Sequence, residues 1–383
     1  MTDSYILAGA RTPIGKFLGA FADVSATDLG AVVIREALTR AAIDPQQVDE
    51  VIMGNVISAG VGQAPARQAA LKAGLPPTVP AFTVNKVCGS GLKAVMLASQ
   101  AIRAGDARVI VAGGMENMTQ APHLARGSRG GWKLGDVSLE DALLRDGLWC
   151  AFDDCHMGIH AEYTAGKNGL TREDLDEFSV ASQQRAAQAM ADGLFQDEIV
   201  PVSVMHRRKE TLVTEDEGPR PGTDMAALGR LKPVFDQSGI VTAGNASTLS
   251  DGAAAVIVAD RETADATSAP WRARIVASHT SGTEPRDLFI APVTAIRGVL
   301  DKAGLTIDDI DLFEINEAFA VQILQNINHL GIDMERVNVG GGAVAIGHPI
   351  GASGTRLLVS LVRSEEHTSE LQSRSDLVCR LLL

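Results

Sequence analysis

Long hydrophobic runs are missing from this sequence. One of the longest, AAAVIVA (253–259), falls far short of the ~20 apolar residues that a helix needs to cross a bilayer. The N-terminal MTDSYILAGARTP has no basic segment followed by an apolar stretch, so no secretory signal is expected. The expectation is a soluble, cytoplasmic protein. Positive charge is also scarce: 34 Lys and Arg against 47 Asp and Glu leave a formal charge of −13 and a pI near 5.1. That excludes the broad positive field required by nucleic acid or an anionic membrane. A phosphate-bearing ligand must then rely on a local basic patch or on backbone N–H groups. Four cysteines in 383 residues do not make a disulfide framework. Cys150 and Cys155 lack CxxC spacing and a second ligand pair, so no metal site is expected. Aromatic residues amount to only 4%; with many small residues, this composition is compatible with close helix packing.

A 45% hydrophobic share beside 21% charged residues excludes wholesale disorder. The length suggests two or three domain-sized units. Glycine, at 38 residues, exceeds the ~7% norm and is clustered, which marks places where backbone must approach something closely. The first part reads as alternating strand and helix. SYILA (4–8), VDEVIMGNVI (48–57), FTVN (82–85) and RVIVAGG (108–114) are strand candidates. Helix patterns lie between them at 25–42, 66–74 and 90–105. Such alternation implies an α/β protein with a buried, largely parallel sheet and helices on its faces. Residues 118–245 carry the long charged stretches and read as an insertion over the sheet core, with a helix pair at 169–190. Alternation resumes with strands at 252–259, 273–282 and 310–315, helices at 291–304 and 353–363, and VNVGGGAVAIGHPIGASG (337–354).

An internal repeat is visible. A shift of 262 residues lays EALTRAAIDPQQVDEVIM (36–53) on GVLDKAGLTIDDIDLFEI (298–315) without gaps. Leu38 meets Leu300, Ala41 meets Ala303 and Asp49 meets Asp311. One more residue of shift places SGLKAV (90–95) opposite SGTRLL (353–358). The economical reading is a duplicated α/β core: 1–117 with 246–270, then 271–363, around the insertion 118–245. Coincidence between short amphipathic patterns is the alternative.

Three residues invite a chemical reading. Cys88, in NKVCGSG, lies between a strand and a helix starting near Ser90. The positive end of that helix favours a thiolate and hence a nucleophile; the alternative is a small core cysteine. His348, in GHPIGASG, occupies the matching turn of the second unit, where duplication brings it towards Cys88 to activate the thiol. Asn316, in NEAFA, is able to hold a water against a developing oxyanion, or simply to cap a helix.

Together these segments resemble the thiolase family. The matching blocks are ARTPIGKFLGAF (10–21), NKVCGSGLKA (85–94), GGMENMT (113–119), HMG (156–158), TAGNAS (242–247), DGAAA (251–255), NEAFA (316–320) and GGAVAIGHPIGASGTR (341–356). They stand in the family's order from residue 1 to about 363 and look most like its short-chain acetyl-CoA acetyltransferase branch. The resemblance implies a five-layered αβαβα fold, a homotetramer built from dimers, and reversible acyl transfer between CoA thioesters in fatty acid metabolism. Acyl-CoA and CoA are the implied partners, with no metal or redox cofactor. Cys88 becomes the acyl-accepting nucleophile, His348 its base and an oxyanion-hole residue, and Asn316 the residue orienting a water there. Ser247 is expected to touch the pantetheine, with His156, Met157, Ala243, Ala318 and Phe319 along the same channel. Arg220, in the inserted loop domain, is expected near the CoA nucleotide. The basic run His206, Arg207, Arg208 and Lys209 is either a phosphate contact or a solvated face.

The family ends differently. Its second catalytic cysteine sits in a C-terminal Cys-x-Gly block, whereas this chain closes on SEEHTSELQSRSDLVCRLLL (364–383). Cys379 stands near the expected distance without flanking glycines, and the family role is not carried to it. The tail resembles translated adaptor or frame-shifted sequence. The chain as written is therefore expected to reach, at best, acylation at Cys88. Three other readings compete: a ketosynthase or hydroxymethylglutaryl-CoA synthase-like condensing enzyme, a non-catalytic acyl-CoA binder, and nucleotide binding through GGGAVAIG (340–347). The last lacks the acidic ribose partner that such a motif requires.

Overall fold

A computed structural model describes residues 3–206, 209–269 and 272–368. The strands are β1 (Ser4–Arg11), β2 (Glu50–Gly54), β3 (Ala81–Val84), β4 (Val109–Asn117), β5 (Trp149–Cys150), β6 (Cys155–His156), β7 (Ser250–Asp260) and β8 (Ala273–Arg274). The central sheet runs β8-β1-β7-β4-β2-β3, with Gly15–Lys16 added alongside β7. Its pairing corrects the expected largely parallel sheet. β2 is parallel to β3 and β4, whereas β7 is antiparallel to both β1 and β4. The reason is non-local: a strand from beyond the insertion enters between two strands of the first half.

Successive strand residues face opposite sides, and both sides are covered. Leu7, Val51, Met53, Val111 and Ile257 point into one core, under α1 (Ala26–Ala41) and α2 (Pro65–Lys72). Ile6, Ile52, Ile110, Val256 and Val258 point into the other, under α3 (Ser90–Ala104) and α8 (Ser353–Thr368). Burial on both faces explains why these strands read as unbroken apolar runs.

The duplication is structural. α1 closes on Ala42 in a left-handed conformation, passes a short 3-10 turn at Pro45–Gln47 and enters β2. In the second unit α6 (Ala291–Ala303) closes on left-handed Gly304 and passes the corresponding turn at Ile307–Asp309. Both turns carry a capping box, Asp44 with Gln47 and Thr306 with Asp309. The helices α3 and α8 pack reciprocally at their first turns. A Cβ on Gly91 would stand 2.6 Å from Thr355 Oγ1, and one on Gly354 would stand 2.5 Å from the Leu92 nitrogen.

The second sheet is where expectation and structure part. The segment 310–315 contributes one parallel bridge, Phe313 to Val337. The expected strand at 273–282 is reduced to β8, which pairs with β1. A strand persists only where a neighbouring strand extends its ladder; among the described residues only one bridge, Phe313 to Val337, joins two segments of the second unit to each other. Beyond it α7 (Ala320–Leu330) joins α6, α4 (Met157–Asn168) and α5 (Arg172–Ala191) in a separate apolar cluster around Phe313, Ile315 and Phe319. The expected helix pair at 169–190 is one helix, α5, whose capping box at Thr171 and Asp174 sets its start. Among the described residues, no helix is long and apolar enough to cross a membrane.

Candidate active site

The carboxyl ends of β2, β3 and β4 open onto one region, the place where parallel strands of an α/β sheet present their loops. β3 runs through Asn85 and Lys86 into a tight turn with Val87 at φ +47°. A β-branched residue rarely adopts that conformation. The turn is held by Val87 N–H donating to Asn85 Oδ1 at 3.0 Å and by Ser90 Oγ donating to the Val87 carbonyl at 2.6 Å. Cys88 follows at its crest, half-buried against the cluster of Val56, Ile57, Met118, Leu143 and Ile350.

The matching loop of the second unit descends on it from α8. His348 is buried, and its Nε2 lies 3.1 Å from Cys88 Sγ. Its Nδ1 lies 2.7 Å from Ser353 Oγ, whose own proton is donated to the Pro349 carbonyl at 2.9 Å. Ser353 Oγ must therefore accept, which puts the imidazole proton on Nδ1 and leaves the Nε2 lone pair facing the thiol. Asn316 Nδ2 stands 3.4 Å from the same Nε2, and Asn316 Oδ1 is buried without a hydrogen-bond partner. That oxygen has the free capacity a water needs.

Glu116 ties the two loops together. Fully buried at the end of β4, it accepts from Asn55 Nδ2, from the backbone N–H groups of Val56 and Ile57, and from that of Gly351 in the His348 loop, at 2.9–3.2 Å. Burial pushes its carboxyl up to about 7, against the pull of those backbone donors. Gly114 allows this approach, because a Cβ there would collide with the Gly351 carbonyl oxygen.

The helix N-terminus is opposed at Cys88: burial pushes the thiol up to about 12 and the Glu116 charge pushes the same way, while a backbone hydrogen bond at the helix start pulls it down. Burial, with the Arg356 charge, takes His348 down to about 3. The pair rests as neutral thiol and neutral imidazole, so the proton moves when sulfur attacks rather than beforehand.

The other expected residues divide into two groups. The backbone of 246–250 bridges the site: Ser247 N–H donates to the Ala318 carbonyl at 3.1 Å, and the Thr248 carbonyl accepts from His348 N–H at 3.2 Å. Phe319 forms a bridge with Ala246 and joins an aromatic run, edge-on to Phe235 at 6.1 Å. Phe235 stacks on His156 at 4.6 Å. The His156 Nδ1 accepts from Gly158 N–H at 2.9 Å, which caps α4, and burial lowers its pKa. Met157 packs into the cluster of Phe313, Ile315 and Phe319. Ser247, Ala318, Phe319, His156 and Met157 are thus linked, by backbone bonds, ring contacts and a shared apolar cluster, to the loop that carries His348. Ala243 and Arg220 are instead exposed on the inserted segment, and Arg220 is held through its backbone N–H to Gln183 Oε1 at 2.8 Å. Arg207 and Arg208 lie outside the described residues, as does Cys379 with 369–383; Lys209 is exposed on a hairpin.

Ser353 and Glu116 were quoted within motifs but given no role by sequence reasoning. A serine five residues after a histidine and a glutamate beside a methionine carry no chemical signal until the fold sets them against a ring nitrogen and a loop.

Compared with known proteins, residues 4–262 match the family model described as thiolase, N-terminal domain, and residues 269–374 the one described as thiolase, C-terminal domain. An acetyl-CoA acetyltransferase of Pseudomonas aeruginosa is 54% identical over 363 residues, spanning 94% of this chain and 92% of that protein. One from Cupriavidus necator is 52% identical over 363 residues, with the same two coverages. One from Escherichia coli is 53% identical over 365 residues, 95% of this chain and 93% of the relative.

Proposed function

The chain belongs to the thiolase family, and on that premise we propose that it moves acyl groups between coenzyme A thioesters through an S-acyl-Cys88 intermediate. It condenses two acetyl-CoA to acetoacetyl-CoA and, in reverse, cleaves short 3-ketoacyl-CoA with CoA. The carrying observation is the 3.1 Å contact between Cys88 Sγ and an imidazole nitrogen held in its accepting tautomer.

Acylation begins when Cys88 Sγ attacks the acetyl-CoA carbonyl and its proton passes to His348 Nε2. A water on Asn316 Oδ1, with the imidazolium, takes the oxyanion charge. The tetrahedral adduct expels CoA as thiolate, and His348 returns the proton to it. The products are S-acetyl-Cys88 and free CoA, so atoms and protons balance. In condensation the second acetyl-CoA gives up an α-proton, and its carbanion attacks the S-acetyl carbonyl and releases Cys88. That proton needs a second base; the family places it on a cysteine in the C-terminal block, and Cys379 lies outside the described residues. The chemistry is acyl transfer with CoA as substrate and calls for no resident cofactor.

Ser247, Ala243, Ala318, Phe319, His156 and Met157 line the pantetheine path, with Arg220 towards the nucleotide. The apolar side chains Trp132, Leu134, Val137 and Leu139 are exposed on the inserted segment, which supports a homotetramer in which this arm is covered; light scattering on the purified chain reads that directly. A free nucleophilic thiol suits a reducing cytoplasm and the acyl-CoA pool of fatty acid metabolism.

The test is mass spectrometry after incubation with acetyl-CoA. An acetyl group is expected on Cys88, removed by added CoA and absent in Cys88→Ser, whose turnover falls by roughly 10⁴-fold or more. Unchanged turnover in that variant, or no adduct on the native chain, overturns the reading.

A further inference from the structure

Outside this site, a second set of reactive side chains converges where the hairpin β5–β6 meets the first turn of α4. Cys150 closes β5, Asp153 lies in the connecting loop, and His160 stands on α4. Cys150 Sγ, a carboxylate oxygen of Asp153 and a ring nitrogen of His160 all lie within 4.8 Å of one another. Cys150 and His160 are buried, at 6% and 2% exposure, while the Asp153 side chain keeps 40%.

The polar atoms of this cluster are not satisfied by each other. His160 Nε2 stands 2.9 Å from Asp153 Oδ2 in an ion-pair contact that lacks the alignment of a hydrogen bond, and Nδ1 of this buried ring has no hydrogen-bond partner. A cation bound between Nε2 and the carboxylate gives both of these atoms an aligned partner. Cys150 Sγ already accepts the Asp153 N–H at 3.4 Å, an arrangement that suits a thiolate.

We propose that Cys150, Asp153 and His160 form a binding site for a transition-metal cation, zinc above all. One thiolate, one imidazole and one carboxylate make a donor set for a borderline-soft divalent ion rather than for magnesium or calcium. Ligands at ~2.0–2.3 Å from zinc require Nε2 and Oδ2 to open slightly from 2.9 Å and Cys150 Sγ to close towards them, a side-chain adjustment. The fourth position faces the exposed side of Asp153 and takes a water. On binding, the Cys150 S–H bond breaks, sulfur bonds the ion and the proton leaves to solvent. The ion ties the 151–154 loop to α4, whose N-cap His156 stacks on Phe235 beside the acyl-transfer site. Spacing within the sequence conceals this site, because its ligands are one cysteine, one aspartate and one histidine across eleven residues rather than a CxxC pair.

The experiment uses the full chain, reduced and stripped of metal by chelation, titrated with cobalt(II) and then with zinc. The expected result is a thiolate-to-cobalt charge-transfer band saturating at one equivalent, displaced by zinc, with a rise in melting temperature. Cys150→Ser abolishes the band. Asp153→Asn, at an exposed position that leaves folding intact, weakens cobalt affinity at least about tenfold. Cys88→Ser leaves both band and affinity unchanged, which separates this site from the Cys88–His348 pair. Absence of the band from the reduced protein, its persistence in Cys150→Ser, or its loss in Cys88→Ser overturns the proposal.

Discussion

The turn bearing Cys88 and the loop bearing His348 stand at equivalent places, each leading into a helix that begins at Ser90 or Ser353. They share a frame and differ in almost everything else. The Cys88 turn is strained, with Lys86 and Val87 exposed, whereas every residue from Ala343 to Ser360 is buried. The contrast has a chemical sense. On the proposed mechanism, the nucleophile must meet a substrate arriving from solvent, and the base must keep its tautomer and stay put. Duplication supplied two similar helix-initiating loops, and their unequal burial matches that division of labour.

The comparison can be broken most severely at the base. His348→Asn removes the proton acceptor and is expected to cut acylation of Cys88 by about 10²–10⁴-fold, read as the single-turnover rate with acetyl-CoA. Folded His348 is lowered by burial to about 3 from its ordinary 6.5. Between those values the unfolded chain holds a proton that the folded one lacks, so native stability falls as pH drops through that window. The variant should lose less on acidification, and urea midpoints at pH 5 and pH 7 read the difference.

Glu116→Gln tests whether the two loops are held as one unit. An amide presents a donor to N–H groups that need an acceptor, at a cost of about 3 kcal/mol. Its pH dependence has the opposite sign. Burial holds the folded carboxyl at about 7 against an ordinary 4.5, so the folded chain keeps a proton that the unfolded chain has lost. The native contribution of this group therefore decreases as pH rises through that interval, and the decrease should vanish in the variant. An unchanged slope in denaturant midpoints would count against the clamp.

A subtler break is Ser353→Ala, which frees the imidazole to change tautomer. Acylation is expected to slow by roughly tenfold, about 1.4 kcal/mol of lost orientation, with little change in KM and recovery in Ser353→Thr. A KM effect alone would reassign Ser353 to packing. The smallest effect is expected at Val87→Gly. Relief of the left-handed valine, offset by the greater freedom of unfolded glycine, should stabilise the fold by about 1 kcal/mol while lowering kcat a few-fold. A destabilised variant would mean that the strain is not real.

Much of this was legible in the sequence. The 262-residue shift located corresponding 3-10 turns to the residue, because capping and αL closure are local chemistry written in a few side chains. The Cys88, His348 and Asn316 loops were legible for the same reason, as glycine-rich turns at strand and helix ends. The direction of β7 was not, since pairing between strands well over a hundred residues apart leaves no local mark. Ser353 and Glu116 were hidden because their roles consist of what they face. The desolvation of the Cys88 thiol was hidden for a related reason: a helix end is visible in sequence, but the apolar cluster around the sulfur is not.

The sequence by itself determined the duplicated α/β units, the family and the loops that carry Cys88, His348 and Asn316, since periodicity, capping and turn chemistry act over a few residues. Only the tertiary structure decided that Cys88 rests neutral, that His348 offers Nε2, and that Cys150, Asp153 and His160 meet. Each of those depends on desolvation and on distances between atoms that the chain itself keeps far apart.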